Sequence, residues 1–406
     1  MATSLQEFLS WAQENGVMSD INVRKIPDKG LGLVLKRQAA RDNSIVAYIP
    51  FHLLLNTTKV GKYAKEKAPK LEETFQALIK HGESLTERMY VDILPHTLHT
   101  PLFYDKTLRA CLDGTSLKSA VDAKFNKLQR EYNRLRPHFN QCRLASDNNF
   151  IGPVSDDYHL VPFLDFANHS LKPYARWELT PEGVELILTK SDSPEPILPD
   201  TEICISYGDK PNSELLFIHG FTLIDNPWSA ISFPVPFYEN DEFEEEKFIF
   251  MQCHGIKPLV SLTRKKGGAE LTRESIGAMW ISVLTKEDGL KFTNVIDDSS
   301  QPVNLLIGDK IIHTLDELDN AVKELPIFPV IEGRVISLIL ENVEHLLSHF
   351  KQTNEKVLKM MESGKNSREL EYIRIYREDE YKFLEYAVDD FTRKRDSLLS
   401  DEYIME

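Results

Sequence analysis

The sequence predicts an α+β protein: a β-rich domain interrupted by a helical insert, followed by an all-α C-terminal domain. Three observations carry that expectation. Short β-like runs come first ("INVRKI", "LGLVLK", "SIVAYIP") and return later ("HLVPFLDFA", "VELILTK", "EICISYG"). Between them, over about 56–144, "KLEETFQALIKHGESLTERMYVDIL" and "SLKSAVDAKFNKLQREYNRLRPHF" follow the helical period. Beyond the acidic stretch "ENDEFEEE" the apolar stripes are helical. A chain of 406 residues exceeds the size at which a single core keeps growing, so two domains are expected, 1–228 and 229–406.

Each element has a local reason. Ser4-Leu5-Gln6-Glu7 is a capping box, Leu5, Phe8, Leu9 and Ala12 share one helical face, and Gly16 supplies the stop. Pro27-Asp28-Lys29-Gly30 reads as the turn between "INVRKI" and "LGLVLK". "SIVAYIP" ends at Pro50. "ENDEFEEE" reads as a linker or a solvated helix start. Ile336, Ile339, Leu340, Val343, Leu347 and Phe350 form one apolar stripe. Asn366-Ser367-Arg368-Glu369 caps a last helix whose stripe holds Ile373, Tyr376, Leu384, Ala387 and Phe391.

Composition excludes several function classes. A net charge of -15 disfavours a nucleic-acid backbone as partner and suits a basic protein. Cys111, Cys142, Cys204 and Cys253 form no CxxC or CxC pair, so neither a zinc ribbon nor a disulfide framework is expected. Glu7, Glu14 and Asp20 interrupt any apolar leader, and no run approaches a membrane span. The expectation is an intracellular, soluble protein of the cytoplasm or nucleus, with no membrane partner and no metal.

The common chemical motifs are missing. Gly30-Leu31-Gly32 has two glycines of a dinucleotide fingerprint, but Leu35 stands where the third belongs, so alone it is a hairpin turn. His345 and His349 have metal-ligand spacing, yet Leu346 replaces the glutamate of a metalloprotease, which leaves an ordinary helix face. Polar residues behind an apolar run in "PFLDFANHS" raise a sharper question, because buried polar groups need partners. Taken singly, Asn168-His169 reads as a strand-end Asx turn with a satisfied core histidine, and Tyr207 as an edge aromatic.

Taken together, "KGLGLVL", "LDFANHS" and "EICISYGDKPNSELLFIHGF" resemble the SET-domain protein methyltransferases. The resemblance is to the branch of the Rubisco large-subunit lysine methyltransferase, which includes fungal ribosomal-protein lysine methyltransferases and the actin-histidine methyltransferase. It extends to "YVDILPHTLHTPLFYDKTLRACLDGTSL", similar to that branch's helical insert, and to "YIRIYREDEYKFLEYAV", similar to the last helix of its substrate-binding domain. It therefore spans nearly the whole chain.

The resemblance implies a SET fold, S-adenosylmethionine as cofactor, and methylation of a lysine on a protein, with a ribosomal or other basic translation protein as first expectation. Lys29, Gly30 and Leu31 are implied in holding the cofactor's polar end, and glycine there lets the main chain approach a ligand closely. Asn168 and His169 are implied in binding its amino-acid and adenine parts, and Phe221 in packing on the adenine. Tyr207 is implied as the catalytic residue and as part of the cofactor site. Asp165 is implied in substrate placement, with a structural turn aspartate as the alternative. Two departures stand out. Arg143 lies too early to match the arginine that contacts the cofactor carboxylate. His219 stands where the Rubisco enzyme has a channel tyrosine, which leaves acceptor type open; a packed, non-catalytic histidine is its other reading. The alternatives are histidine N-methylation, or a SET-like binding module without catalysis.

Overall fold

The computed structural model describes residues 5–39, 43–56, 90, 93–95, 97–135, 159–189, 195–293, 303–363 and 367–400. Ser4 of the capping box, Asn366, Cys142, Arg143 and most of "KLEETFQALIKHGESLTERMYVDIL" lie outside them. The chain divides into two compact units, Met1–Thr97 with Asn126–Asp209, and Leu98–Phe125 with Lys210–Glu406. Part of the stretch read as a helical insert thus groups with the C-terminal unit.

In the first unit, α1 (Leu5–Glu14) buries Phe8, Trp11 and Ala12. It ends where Gly16 adopts φ 91, a left-handed stop natural to glycine. A four-stranded antiparallel sheet has the order β1 (Met18–Ser19), β4 (Ile45–Pro50), β8 (Gly183–Leu188), β7 (Ala175–Leu179). A separate hairpin joins β2 (Ile21–Ile26) and β3 (Gly30–Leu35) in register from Ile21 with Leu35 to Ile26 with Gly30. The short strands β5 (Leu55–Asn56) and β6 (His159–Leu160) pair with each other. The period-2 alternation of the β-like runs becomes a core of Ile21, Val23, Leu33, Leu35, Ile49, Leu186 and Ile203.

The second unit contains the helices α2 (Lys106–Ala110), the start of α3 (Ser116–Leu135), α4 (Glu244–Cys253), α5 (Arg273–Val283), α6 (Leu315–Lys323), α7 (Phe328–Ser363) and α8 (Arg368–Ser400). The acidic run proved to be a helix start, since Glu244, Glu245 and Glu246 fill the first turn of α4, where negative charge suits the dipole. Helices α7 and α8 run antiparallel: Phe350 packs on Tyr381 (5.4 Å between rings), and Arg377 donates to Asn354 (3.1 Å). The stripe expected on α8 is buried at all five positions, Ile373, Tyr376, Leu384, Ala387 and Phe391. Ser367 Oγ accepts from Leu370 N–H (3.2 Å) at the N-terminus of α8.

The all-α expectation for this unit needs correction. It also holds two three-stranded antiparallel sheets, ordered β11-β10-β9 and β12-β13-β14. These are β9 (Ala230–Pro234), β10 (Leu259–Lys265), β11 (Gly268–Leu271), β12 (Leu290–Thr293), β13 (Asn304–Ile307) and β14 (Lys310–Ile312). Three- to seven-residue strands joined by tight turns such as Lys266-Gly267 offer little periodicity beside helices of 36 and 33 residues.

Polar clips explain why Leu98–Phe125 groups with this unit. Glu380 on α8 accepts from Ser116 N–H (2.6 Å), and the Tyr376 hydroxyl accepts from Leu117 N–H (3.3 Å), capping the start of α3. Arg377 donates to the carbonyls of Asp113 (2.6 Å) and Cys111 (3.3 Å).

Candidate active site

The site in the first unit is assembled by one extended segment that pairs with two others. Thr201–Ile203 lies beside β3: Leu35 N–H donates to Thr201 O (3.0 Å), and Ile203 N–H to Leu33 O (2.8 Å). The same segment then pairs with Asn168–Ser170. Ile205 N–H donates to Asn168 O (2.9 Å), Ser170 N–H to Ile205 O (3.0 Å), and His169 and Ile205 form a parallel bridge. Lys29-Gly30-Leu31, Asn168-His169 and Tyr207 are brought together in this way, although long stretches of chain separate them.

The hairpin turn carries its own signature. Lys29 N–H donates to Ile26 O (3.2 Å), Asp28 has φ 60 and Gly30 φ 81. Proline followed by a residue of positive φ suits a type II turn. A side chain at Gly30 would meet nothing within 4 Å, so the main chain is open on that side. Gly32 is the opposite case: a Cβ there would lie 2.5 Å from Ile26 Cγ1 and 2.9 Å from Asn168 Nδ2. Its lack of a side chain admits Asn168.

Asn168 answers the question that "PFLDFANHS" raises. Its Nδ2 donates to Glu202 Oε1 (2.8 Å) and to Leu31 O (3.3 Å), so protein partners hold the amide hydrogens. Just upstream, Phe163 adopts φ 75 and ψ -50, a backbone state costing about 1–3 kcal/mol that persists only where the surroundings enforce it. Phe163 is buried in the core of this unit.

His169 and Tyr207 are linked twice. Tyr207 N–H donates to His169 Nδ1 (3.0 Å), and the rings lie 5.2 Å apart. Because Nδ1 accepts, the neutral ring carries its proton on Nε2. Burial holds the His169 pKa below its ordinary 6.5. The unfolded chain therefore binds the proton more readily. The stabilisation is present above about pH 6.5 and is lost as pH falls through the lower folded value. An NMR titration of the ring is expected to give a pKa below 6.5, with the Tyr207 amide shifting in the same step. A ring that titrates at or above 6.5 contradicts this arrangement.

The Tyr207 hydroxyl donates to Ala167 O (2.8 Å). Burial, with smaller contributions from Cys204, Asp165 and Glu202, pushes its pKa up to about 12, so it stays protonated at neutral pH. Asp165 faces inward with one oxygen: Oδ2 accepts from the buried Tyr90 hydroxyl and from Val161 N–H (2.8 Å). Both contacts brace the loop. Desolvation of the carboxyl raises its pKa, and the hydrogen bonds from Tyr90 and Val161 pull it back.

His219 and Phe221 belong to the second unit. A helical turn at Asn212–Glu214 continues as a π-helix, Leu215–His219, which leaves His219 exposed and its ring 6.2 Å from Phe221. Such π-turns are frequent at functional sites. The buried Asn212 anchors the turn by accepting from Leu223 N–H (2.8 Å) and donating to Leu223 O (3.0 Å). Gly220 ends it at φ 76, and a Cβ there would lie 2.7 Å from His99 O. Gly220→Ala is expected to destabilise the chain by about 2–3 kcal/mol through strain and that clash. A chemical denaturation midpoint equal to the wild type's would refute it.

Sequence reasoning missed Glu202 and Tyr90. A carboxylate within the otherwise apolar β run "EICIS" was the available signal for Glu202; nothing local to Tyr90 foretold its bond to Asp165. Among the described residues, no group of three or more His, Cys, Asp or Glu side chains is placed to hold a metal ion. No described helix is long and apolar enough to cross a membrane.

No family model matches the chain. It is 25% identical over 277 residues to the chloroplastic fructose-bisphosphate aldolase lysine N-methyltransferase of Arabidopsis thaliana, covering 60% of this chain and 57% of that protein. It is 24% identical over 253 residues to a ribosomal lysine N-methyltransferase of Schizosaccharomyces pombe, covering 54% and 44%. With the actin-histidine N-methyltransferase of Mus musculus the identity is 20% over 383 residues, covering 86% and 62%. The chain spans about half the length of the first curated relatives it matches. The structure of Rubisco LSMT bound to AdoMet superposes with a TM-score of 0.65 at 18% identity, over 97% of this chain and 92% of that one. The chain has the SET-domain fold of the Rubisco large-subunit methyltransferase branch.

Proposed function

We propose that this chain is an S-adenosylmethionine-dependent protein N-methyltransferase acting on a lysine side chain. The observation that carries the reading is the coupling of Asn168-His169 to Tyr207, with the Tyr207 hydroxyl held on the Ala167 carbonyl. The donor set fits the cofactor. Gly30 leaves main chain open to a ligand, the Asn168 amide is fixed, and His169 is neutral. The Lys29 charge is matched by Glu202 (2.6 Å), so the turn does not repel a cationic ligand.

When bound, S-adenosylmethionine supplies an electrophilic methyl group on a sulfonium. The chain's own task is positioning, because transfer to an amine is an in-line displacement. Tyr207 donates its single proton to Ala167 O, so toward an amine N–H its oxygen acts as an acceptor and not as a donor. With a pKa near 12 the phenol is no base at neutral pH. The amine must therefore arrive neutral, which costs about 4.6 kcal/mol for a lysine of pKa about 10.4 at pH 7. Desolvation beside an aromatic wall lowers that cost.

A basic substrate suits the net charge of -15, and a ribosomal or translation protein in the cytoplasm or nucleus is the first choice. Histidine is the second acceptor to consider, because the actin-histidine enzyme matches the longest stretch among the relatives above, and His219 is exposed. The test combines calorimetry with S-adenosylhomocysteine and transfer of labelled methyl into extract from cells lacking the gene. Binding and a discrete labelled protein support the reading, and mass spectrometry of that protein names the residue type. Binding without transfer favours a non-catalytic module; absence of both removes the cofactor.

A further inference from the structure

The geometry points to Glu202 as a positioning residue that sets the orientation of the Asn168 carboxamide toward the cofactor. The inference rests on the proposed S-adenosylmethionine site and adds a residue to it. Glu202 Oε1 accepts from Asn168 Nδ2 (2.8 Å), while Oε2 accepts from Lys29 Nζ (2.6 Å). One carboxylate thus joins the hairpin turn to the Asn168-His169 segment, and its side chain is 20% exposed.

The amide orientation follows from chemistry. Both neighbours of Nδ2, the Glu202 carboxylate and the Leu31 carbonyl, can only accept. The NH2 group must therefore face them, and the planar amide turns Oδ1 away from both. An acceptor oxygen is thereby offered to an N–H or ammonium donor of the ligand. Without Glu202 the amide retains only the longer bond to Leu31 O (3.3 Å), and both flips become accessible. Gly32 makes the arrangement possible, since a Cβ there would stand 2.9 Å from Asn168 Nδ2 and 3.2 Å from Glu202 Oε1. Lys29 Nζ pairs with the other carboxylate oxygen at 2.6 Å.

A double-mutant cycle tests this on the full chain, read as S-adenosylhomocysteine affinity by calorimetry so that no acceptor protein is needed. Glu202→Leu is expected to weaken binding about tenfold in the wild-type background but less than about twofold in Asn168→Ala, because residues acting as a unit do not add. Glu202→Gln keeps an acceptor for the amide and is expected to cost about threefold. If Glu202→Leu does not fold, Glu202→Gln in the two backgrounds reads the same coupling. Thermal unfolding without ligand controls for a purely structural loss. Equal weakening in both backgrounds, or none in either, overturns the role of Glu202 and leaves the cofactor site standing. Failure of the unaltered chain to bind overturns both.

Discussion

Replacing Tyr207 by Phe is expected to slow methyl transfer by about 100-fold or more while S-adenosylhomocysteine affinity stays within about threefold. The substitution keeps the aromatic wall and the backbone bond from residue 207 N–H to His169 Nδ1, and removes only the hydroxyl. That hydroxyl is tied to Ala167 O at 2.8 Å, so its oxygen is fixed before any amine arrives. A group of this kind acts on the reacting amine and not on the cofactor's binding. The loss should therefore fall in kcat, with cofactor KM nearly unchanged. A hundredfold corresponds to about 2.7 kcal/mol, a reasonable figure for one positioning hydrogen bond in a desolvated site. Steady-state rates with the labelled acceptor, alongside calorimetry, decide the matter. Full activity in Tyr207→Phe would refute the assignment; a loss confined to cofactor binding would make the residue part of the binding surface only.

The second large effect concerns stability and arises within the second unit. Lys247→Met should lower the unfolding free energy by about 3–5 kcal/mol. Lys247 on α4 is fully buried, and its ammonium donates to Asp241 Oδ2 (2.5 Å) and Ser282 O (2.9 Å). The Asp241 side chain is only 7% exposed. Methionine fills a similar volume but strands a buried carboxylate and leaves the Ser282 carbonyl without its donor. Burial pulls the lysine pKa down and the Asp241 bond opposes it, the mark of an ion pair held against desolvation. Adding Asp241→Asn to Lys247→Met should recover part of the loss, because the stranded charge is then gone. Denaturant unfolding of the three variants checks both statements. A cost below about 1 kcal/mol for Lys247→Met, or a double variant less stable than the single, would show that the pair contributes little.

Much of the fold was legible because it depends on local period. The stripes on α7 and α8, the α1 face with Phe8 and Ala12, and the β2–β3 hairpin at Pro27–Gly30 each repeat a pattern that one element satisfies alone. The strands described in the C-terminal unit were not legible, since runs of three to seven residues between strong helices do not outweigh them. The site was legible in part. Asn168 and His169 stand out as polar residues behind an apolar run, where side chains need partners, whereas Tyr207 enters only through the resemblance of the three segments to the SET-domain methyltransferases.

The identity of those partners is a different kind of fact. The sequence by itself determined the β runs of the first unit and the long helices α7 and α8, where the hairpin turns, and that Asn168 and His169 must be satisfied. Only the tertiary structure decided that Thr201–Ile205 pairs first with β3 and then with Asn168–Ser170. That pairing sets Glu202 between Lys29 and Asn168, and sets the Tyr207 amide on His169. The physical reason is that strand pairing joins residues far apart in the chain through backbone bonds that any sequence can make. Their partners follow from register and topology, which the local pattern of side chains does not encode.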